Sequence, residues 1–204
     1  MWTFMSAQLN TAFGVGNVDA FADLSSLSTL LTYDRLWVDQ RYGPTLTSAE
    51  AANIAAFIAT GRRTVIIGEN QLWPTWNAQI GSIVGGTVIN QCDFTSYATA
   101  YASSLTAGVS AVTNSCGSLA VGGTSLFTGN FATLWGSNLS TLTILDSNLM
   151  DDFYRGQDDN SLFATNTAQW LAGSDVVASP EPASFVLLGS GLAVLGLVSR
   201  RRRA

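Results

Sequence analysis

No His and no Lys occurs among the 204 residues. Without His there is no Ser-His-Asp or Cys-His triad, no imidazole metal ligand and no ordinary general base near neutral pH. Without Lys, all nine basic residues are Arg, and four of them, Arg200, Arg201, Arg202 and Arg203, sit at the C-terminus. The body keeps Arg35, Arg41, Arg62, Arg63 and Arg155 against a larger number of acids, so its surface is acidic. That excludes nucleic acid as a partner, because such affinity comes largely from basic side chains on phosphates. Cys is scarce as well: Cys92 and Cys116 are the pair. With no His to activate it, neither is a credible nucleophile. An oxidising compartment would pair them across a loop of about 25 residues, while two small buried thiols are the alternative. Charged residues make up 11 % and hydrophobic ones 47 %, too apolar for a disordered chain and enough for one domain with a sizeable core.

Long apolar runs are also absent, with one exception at the end of the chain. Ser179-Pro180-Glu181-Pro182 precedes an uncharged run from Ala183 to Val198, and Arg200–Arg203 follows. Pro-Glu-Pro cannot continue a helix, since each proline lacks an N–H and pushes its predecessor toward extended geometry. The run of about 17 residues spans roughly 25 Å as a helix, the short end of a membrane span. The arginines stand where the positive-inside rule places a cytoplasmic end. Everything before Pro180 is then expected outside the cytoplasm.

Taken together, Pro180, Glu181, Pro182, the Ala183–Val198 segment and Arg200–Arg203 closely resemble the PEP-CTERM sorting signal of Gram-negative bacteria. The resemblance implies an exported protein, held in the inner membrane by its C-terminal helix and processed by exosortase, a membrane-embedded enzyme. The body would then lie in the periplasm and, after processing, at the cell surface or outside the cell. It also implies a setting of exopolysaccharide production or biofilm formation, with extracellular polysaccharide as a candidate partner. An exported chain needs a basic and then apolar N-terminal signal. Met1-Trp2-Thr3-Phe4-Met5 has no basic residue and Ser6–Asn10 is polar, so the expectation is a chain shortened at its N-terminus. The resulting division is an α/β domain over 1–174, a linker with the Pro-Glu-Pro motif over 175–182, a transmembrane sorting helix over 183–199 and a basic end over 200–204.

Within the body, Thr3–Phe13 reads as a short helix ended by Gly14 and Gly16, Val18–Phe21 as a weak strand, and Ser25–Leu31 as a helical turn. Tyr33–Asp39 reads as a strand. Thr47 and Glu50 form a capping box, Ala51, Ile54, Ala55 and Ile58 repeat at helical spacing, and Gly61 supplies the stop. Thr64–Gly68 is a continuous apolar run of the kind a buried parallel strand shows. Strand, capped helix and strand make a βαβ unit. Trp73, Trp76, Ile80, Ile83 and Val84 give a second helix ended by Gly85-Gly86, with Thr87–Asn90 a strand beyond it. Residues 92–136 stay open between helix (Tyr97, Tyr101, Leu105) and strand (Val109, Ala111, Leu119, Val121). Leu142–Leu145 is a strand, and Asp159 is placed to cap a helix running to Leu171 with Leu162, Phe163, Asn166 and Trp170 on one face.

Tyr33–Arg41, Ser48-Ala49-Glu50 with Phe57 and Gly61, Thr64–Asn70, Ile144–Asn148 and Asp159 to Leu171 resemble class I glutamine amidotransferase-like domains, in particular non-catalytic ones of exported proteins. The resemblance implies a flavodoxin-like or amidotransferase-like parallel sheet with flanking helices. It does not carry the activity over: the turn after Thr64–Ile67 is Gly68-Glu69-Asn70-Gln71, with no Cys, Ser or Thr nucleophile. The candidate site is a crevice at the C-terminal ends of strands, with Asp39, Glu69, Asn70 and Asp146 at its mouth. The alternative is that Glu69 and Asn70 cap the following helix. Asp146, Asp151, Asp152, Asp158 and Asp159 have a calcium-like composition but no EF-hand spacing, and a solvated acidic loop accounts for them. Trp73 and Trp76 fit core packing better than sugar stacking. No cofactor is called for. The reading is a non-enzymatic surface or matrix protein; the alternative is an envelope enzyme working with carboxylates, such as a glycan hydrolase.

Overall fold

The computed structural model describes residues 3–40 and 45–173. The linker, the sorting helix expected over 183–199 and Arg41 lie outside the described residues; among those described, no helix is long and apolar enough to cross a membrane.

The capping box over Thr47 and Glu50 forms as its residue types dictate. Thr47 Oγ1 accepts the Glu50 N–H at 3.2 Å, and the Glu50 carboxylate accepts the Thr47 N–H at 2.9 Å. It starts helix α3, Ser48–Ala59, which ends at Thr60, with Gly61 in the left-handed region just beyond. On either side lie strands β1, Leu36–Val38, and β2, Thr64–Ile67, paired in parallel. The expected βαβ unit is therefore present, although β1 is shorter than Tyr33–Asp39.

Every residue of β2 is buried, but its side chains still alternate. Ile66 joins one apolar cluster with Leu36, Val38, Ile54, Phe57, Trp76 and Ile80; Val65 and Ile67 join another with Leu142, Ile144, Phe163 and Trp170. Two cores imply two covered faces. Helices α2 (Leu27–Leu30), α3 and α4 (Pro74–Val84) serve the first, and α1 (Thr3–Phe13) and α5 (Asn160–Ala172) the second. Gly85 ends α4 in the left-handed region, at φ 76°.

The expected parallel sheet is parallel only in part. Its order is β1-β2-β7-β6-β5, with β7 at Thr141–Ile144, β6 at Ala132–Trp135 and β5 at Thr124–Ser125. β1, β2 and β7 are parallel, whereas β6 and β5 run antiparallel. The physical reason is connection length. β6 reaches β7 through Gly136–Ser140, too short for the crossover a parallel pair needs. The strand expected over Thr87–Asn90 is present as the start of β3 (Thr87–Ala98), which pairs with β4 (Ala111–Val121) in a long antiparallel hairpin, so the part of 92–136 that falls on these two elements is strand and not helix. Val18–Phe21 is not a strand. Leu162 is 39 % exposed while Phe163, Asn166 and Trp170 are buried, so it leaves the α5 face expected for it. Asp159 precedes α5 without capping it by its side chain; its carboxylate accepts the Ser110 N–H at 2.7 Å and the Ala111 N–H at 3.3 Å.

Candidate functional site: a buried carboxylate cluster at the strand ends

Because β1, β2 and β7 are parallel neighbours, the residues that follow them emerge at one edge of the sheet. Asp39 follows β1, Glu69 and Asn70 follow β2, and Asp146 follows β7. The structure brings these four together. Each of Asp39 and Asp146 interacts electrostatically with Glu69. Burial pushes the Asp146 carboxyl up to about 7; the Ser115 N–H opposes this and the Glu69 charge adds to it. Burial likewise raises Asp39 to about 6, opposed by the Gln40 N–H and helped by Glu69.

Glu69 does not cap α4. It is buried, and its oxygens are held from several sides. The Asn70 N–H and side-chain amide donate to Oε2, both at 3.0 Å, and the Ser147 hydroxyl donates to Oε1. Gln40, with its amide nitrogen turned toward Glu69, donates to Oε1 at 3.0 Å and accepts from Trp73 Nε1 at 3.2 Å. Asp146 is fully buried and accepts the Asn148 N–H at 3.0 Å and the Ser115 N–H.

Three residues that sequence reasoning missed hold this arrangement. Asn77, fully buried, accepts the Glu69 N–H at 3.0 Å and donates to the Glu69 carbonyl at 2.8 Å and to Asn90 Oδ1 at 2.8 Å. A signal existed: Asn77 lies on the same helical stripe as Trp73, Trp76 and Ile80, where an amide has to find partners. Ser115 and Gly117 come from β4, and nothing local announced them. A Cβ at Gly117 would lie 2.3 Å from the Leu145 carbonyl oxygen and 2.7 Å from Asp146 Cβ, so only glycine lets β4 come this close. Between them, Cys116 pairs with Cys92 in a disulfide at the bulge of the hairpin.

The other loop acids go separate ways. Asp151 accepts the Phe153 and Tyr154 N–H groups, Asp152 the Thr3 hydroxyl and Phe4 N–H, and Asp158 the Ser96 and Thr113 hydroxyls. Among the described residues no group of three or more acids or cysteines is placed to hold a metal ion. Trp76 is buried, its indole N–H donating to the Ile67 carbonyl at 2.9 Å, and Trp73 is half-buried. Chemically, the cluster pairs two carboxyls raised by burial with a Glu held by donors. Ser147 places a hydroxyl against the cluster, and its proton is directed at Glu69.

No curated protein matches the chain. Among solved structures, the chain is similar to the "mmIFT52 N-terminal domain", with a TM-score of 0.65 and 11 % identity over 85 % of this chain and 92 % of that one. At that identity the likeness concerns the fold alone, and the amidotransferase-like reading of the body finds no support in it. Residues 180–203 match the family described as "PEP-CTERM protein-sorting motif", which confirms the sorting signal and supports export with exosortase as the processing partner.

Proposed function

We propose that this is an exported surface or matrix protein, sorted and processed through its C-terminal tail, whose α/β domain works by binding and not by catalysis. The observation that carries the reading is the sorting motif over 180–203. The Cys92–Cys116 disulfide supports it independently, because such bonds persist outside the reducing cytoplasm. The inward-turned hydrogen bonds of Glu69 and Asp146, and the lack of His, favour a non-enzymatic domain. Extracellular polysaccharide is the partner this setting suggests, with biofilm formation as the context.

The convergence of Asp39, Glu69 and Asp146 favours one second reading, a carboxylate-dependent glycan hydrolase. Its requirement is reducing-end release from a glycan that Glu69→Gln abolishes. The first reading is tested in a host that carries an exosortase. Replacing Pro180, Glu181 and Pro182 by Ala should leave the tail attached, as read by intact mass. Equal tail removal in both versions would sink the sorting assignment.

A further inference from the structure

Away from the carboxylates, the opposite end of β1 opens onto a concavity. It has a volume of about 490 Å³ and runs between the end of α1, the loop over 16–21 and residues 32–37. That size lies within the roughly 300–1,000 Å³ of small-molecule sites. Its lining mixes aliphatic and aromatic side chains with polar and charged ones. Phe21 and Tyr33 stack, with ring centroids 5.3 Å apart and planes 18° from parallel, and Phe21 remains 40 % exposed. Trp37 is half-buried on the same wall. The Tyr33 hydroxyl is hydrogen-bonded to Asp19, which fixes both side chains at the rim. Arg35 is braced by bonds from Nε to the Leu171 carbonyl and from Nη1 to the Asp34 carbonyl, both 2.8 Å.

We infer that this groove binds a short segment of a neutral or amino-sugar chain, made of pyranose rings with equatorial hydroxyls. This rests on the binding reading proposed above and assigns the site. The chemistry is that of a flat ring with two kinds of surface. Equatorial hydroxyls leave apolar C–H faces that pack on aromatic rings, while the ring edge offers hydroxyls to carboxylates and a guanidinium. Phe21, Tyr33 and Trp37 supply the first, and Asp19, Asp34 and Arg35 supply the second. The two acids against one base, on an acidic body, disfavour uronic-acid chains. Phe21, the exposed member of the stack, would otherwise leave its ring in water.

The test titrates the full-length protein in detergent with cellohexaose, chitohexaose and alginate, following heat of binding. Saturation with at least one neutral or amino-sugar hexaose is expected below millimolar concentration. Phe21→Ala and Tyr33→Ala should each weaken it about tenfold or more, the loss of one stacking contact. Phe153→Ala, which removes a 74 % exposed ring elsewhere, should bind as the parent does. Circular dichroism melts establish that each variant is folded, and Phe21→Ala, which removes the other ring of the stack, carries the comparison if Tyr33→Ala does not fold. Absence of saturation with both hexaoses, equal loss in Phe153→Ala, or tighter binding of alginate overturns the assignment. Tail removal in the exosortase host is read separately, so a failed titration with normal processing rejects the groove and leaves the sorting reading standing.

Discussion

Asp146 is acidic in sequence and placed where a charge is costly. Its ordinary value of 3.8 rises to about 7, and Asp39 rises from 3.8 to about 6, in both cases chiefly through burial. The sign of the consequence follows from proton counting. Between about pH 4 and 7 the folded protein holds a proton at Asp146 that the unfolded chain has released, so stability falls as pH rises through this window. Asp152 acts in the other direction. The Thr3 hydroxyl and the Phe4 N–H hold it down to about 2, and its contribution is lost as pH falls below the unfolded value. The melting temperature should therefore rise on acidification from about pH 8 to about pH 5 and drop below about pH 3. Asp146→Asn should flatten the upper part of that profile by an amount worth a few kcal/mol or less. A variant whose profile runs parallel to the parent over pH 5–8 would show that Asp146 does not titrate there.

The hairpin β3–β4 is the element on which the cluster depends most. β3 is largely exposed, and the pairing register shifts at Asp93, where the ladder is interrupted. The Cys92–Cys116 bond crosses the hairpin at that place, and Cys116 itself has φ 83°, in the left-handed region. Its neighbours Ser115 and Gly117 are the contacts to Asp146 and Leu145. The disulfide thus restrains an irregular stretch that the ladder alone holds weakly, and it closes a loop of about 25 residues, worth roughly 3 kcal/mol in the chain-entropy model. Reduction, or the double substitution Cys92→Ser with Cys116→Ser, should lower the urea midpoint by a corresponding amount. An unchanged midpoint with the thiols shown to be free by labelling would place the hairpin's stability elsewhere.

For the whole molecule, the layered domain and the sorting tail make a joint demand on topology. Four consecutive arginines resist translocation, so Arg200–Arg203 should remain in the cytoplasm with the body on the far side. Protease added outside spheroplasts of an expressing host should then digest the body, and a body protected until lysis would contradict this orientation. The same fold keeps the carboxylate cluster and the aromatic groove apart. One lies past the C-terminal ends of the strands, the other where the chain enters β1.

Local chemistry was enough to determine several parts of this protein. Thr47 and Glu50 form their capping box from residue type and spacing alone, Gly85 ends α4 because it tolerates positive φ, and the apolar run Thr64–Ile67 reads as a buried strand without any neighbour. The sorting tail is equally local, since a triplet, an apolar run and a basic end act in series along the chain. Even the meeting of Asp39, Glu69 and Asp146 followed from their places after strands, given parallel neighbours. Tertiary structure decided the rest. Whether β6 runs parallel to β7 depends on a five-residue connection and on which edge is free. Whether residues 92–98 form helix or strand depends on β4, more than a dozen residues away, offering a ladder and a disulfide partner. Whether a carboxylate is solvated or held near pH 7 depends on the backbone that closes over it, and for Asp146 that backbone is Ser115 and Gly117, which no periodicity in the sequence connects to it.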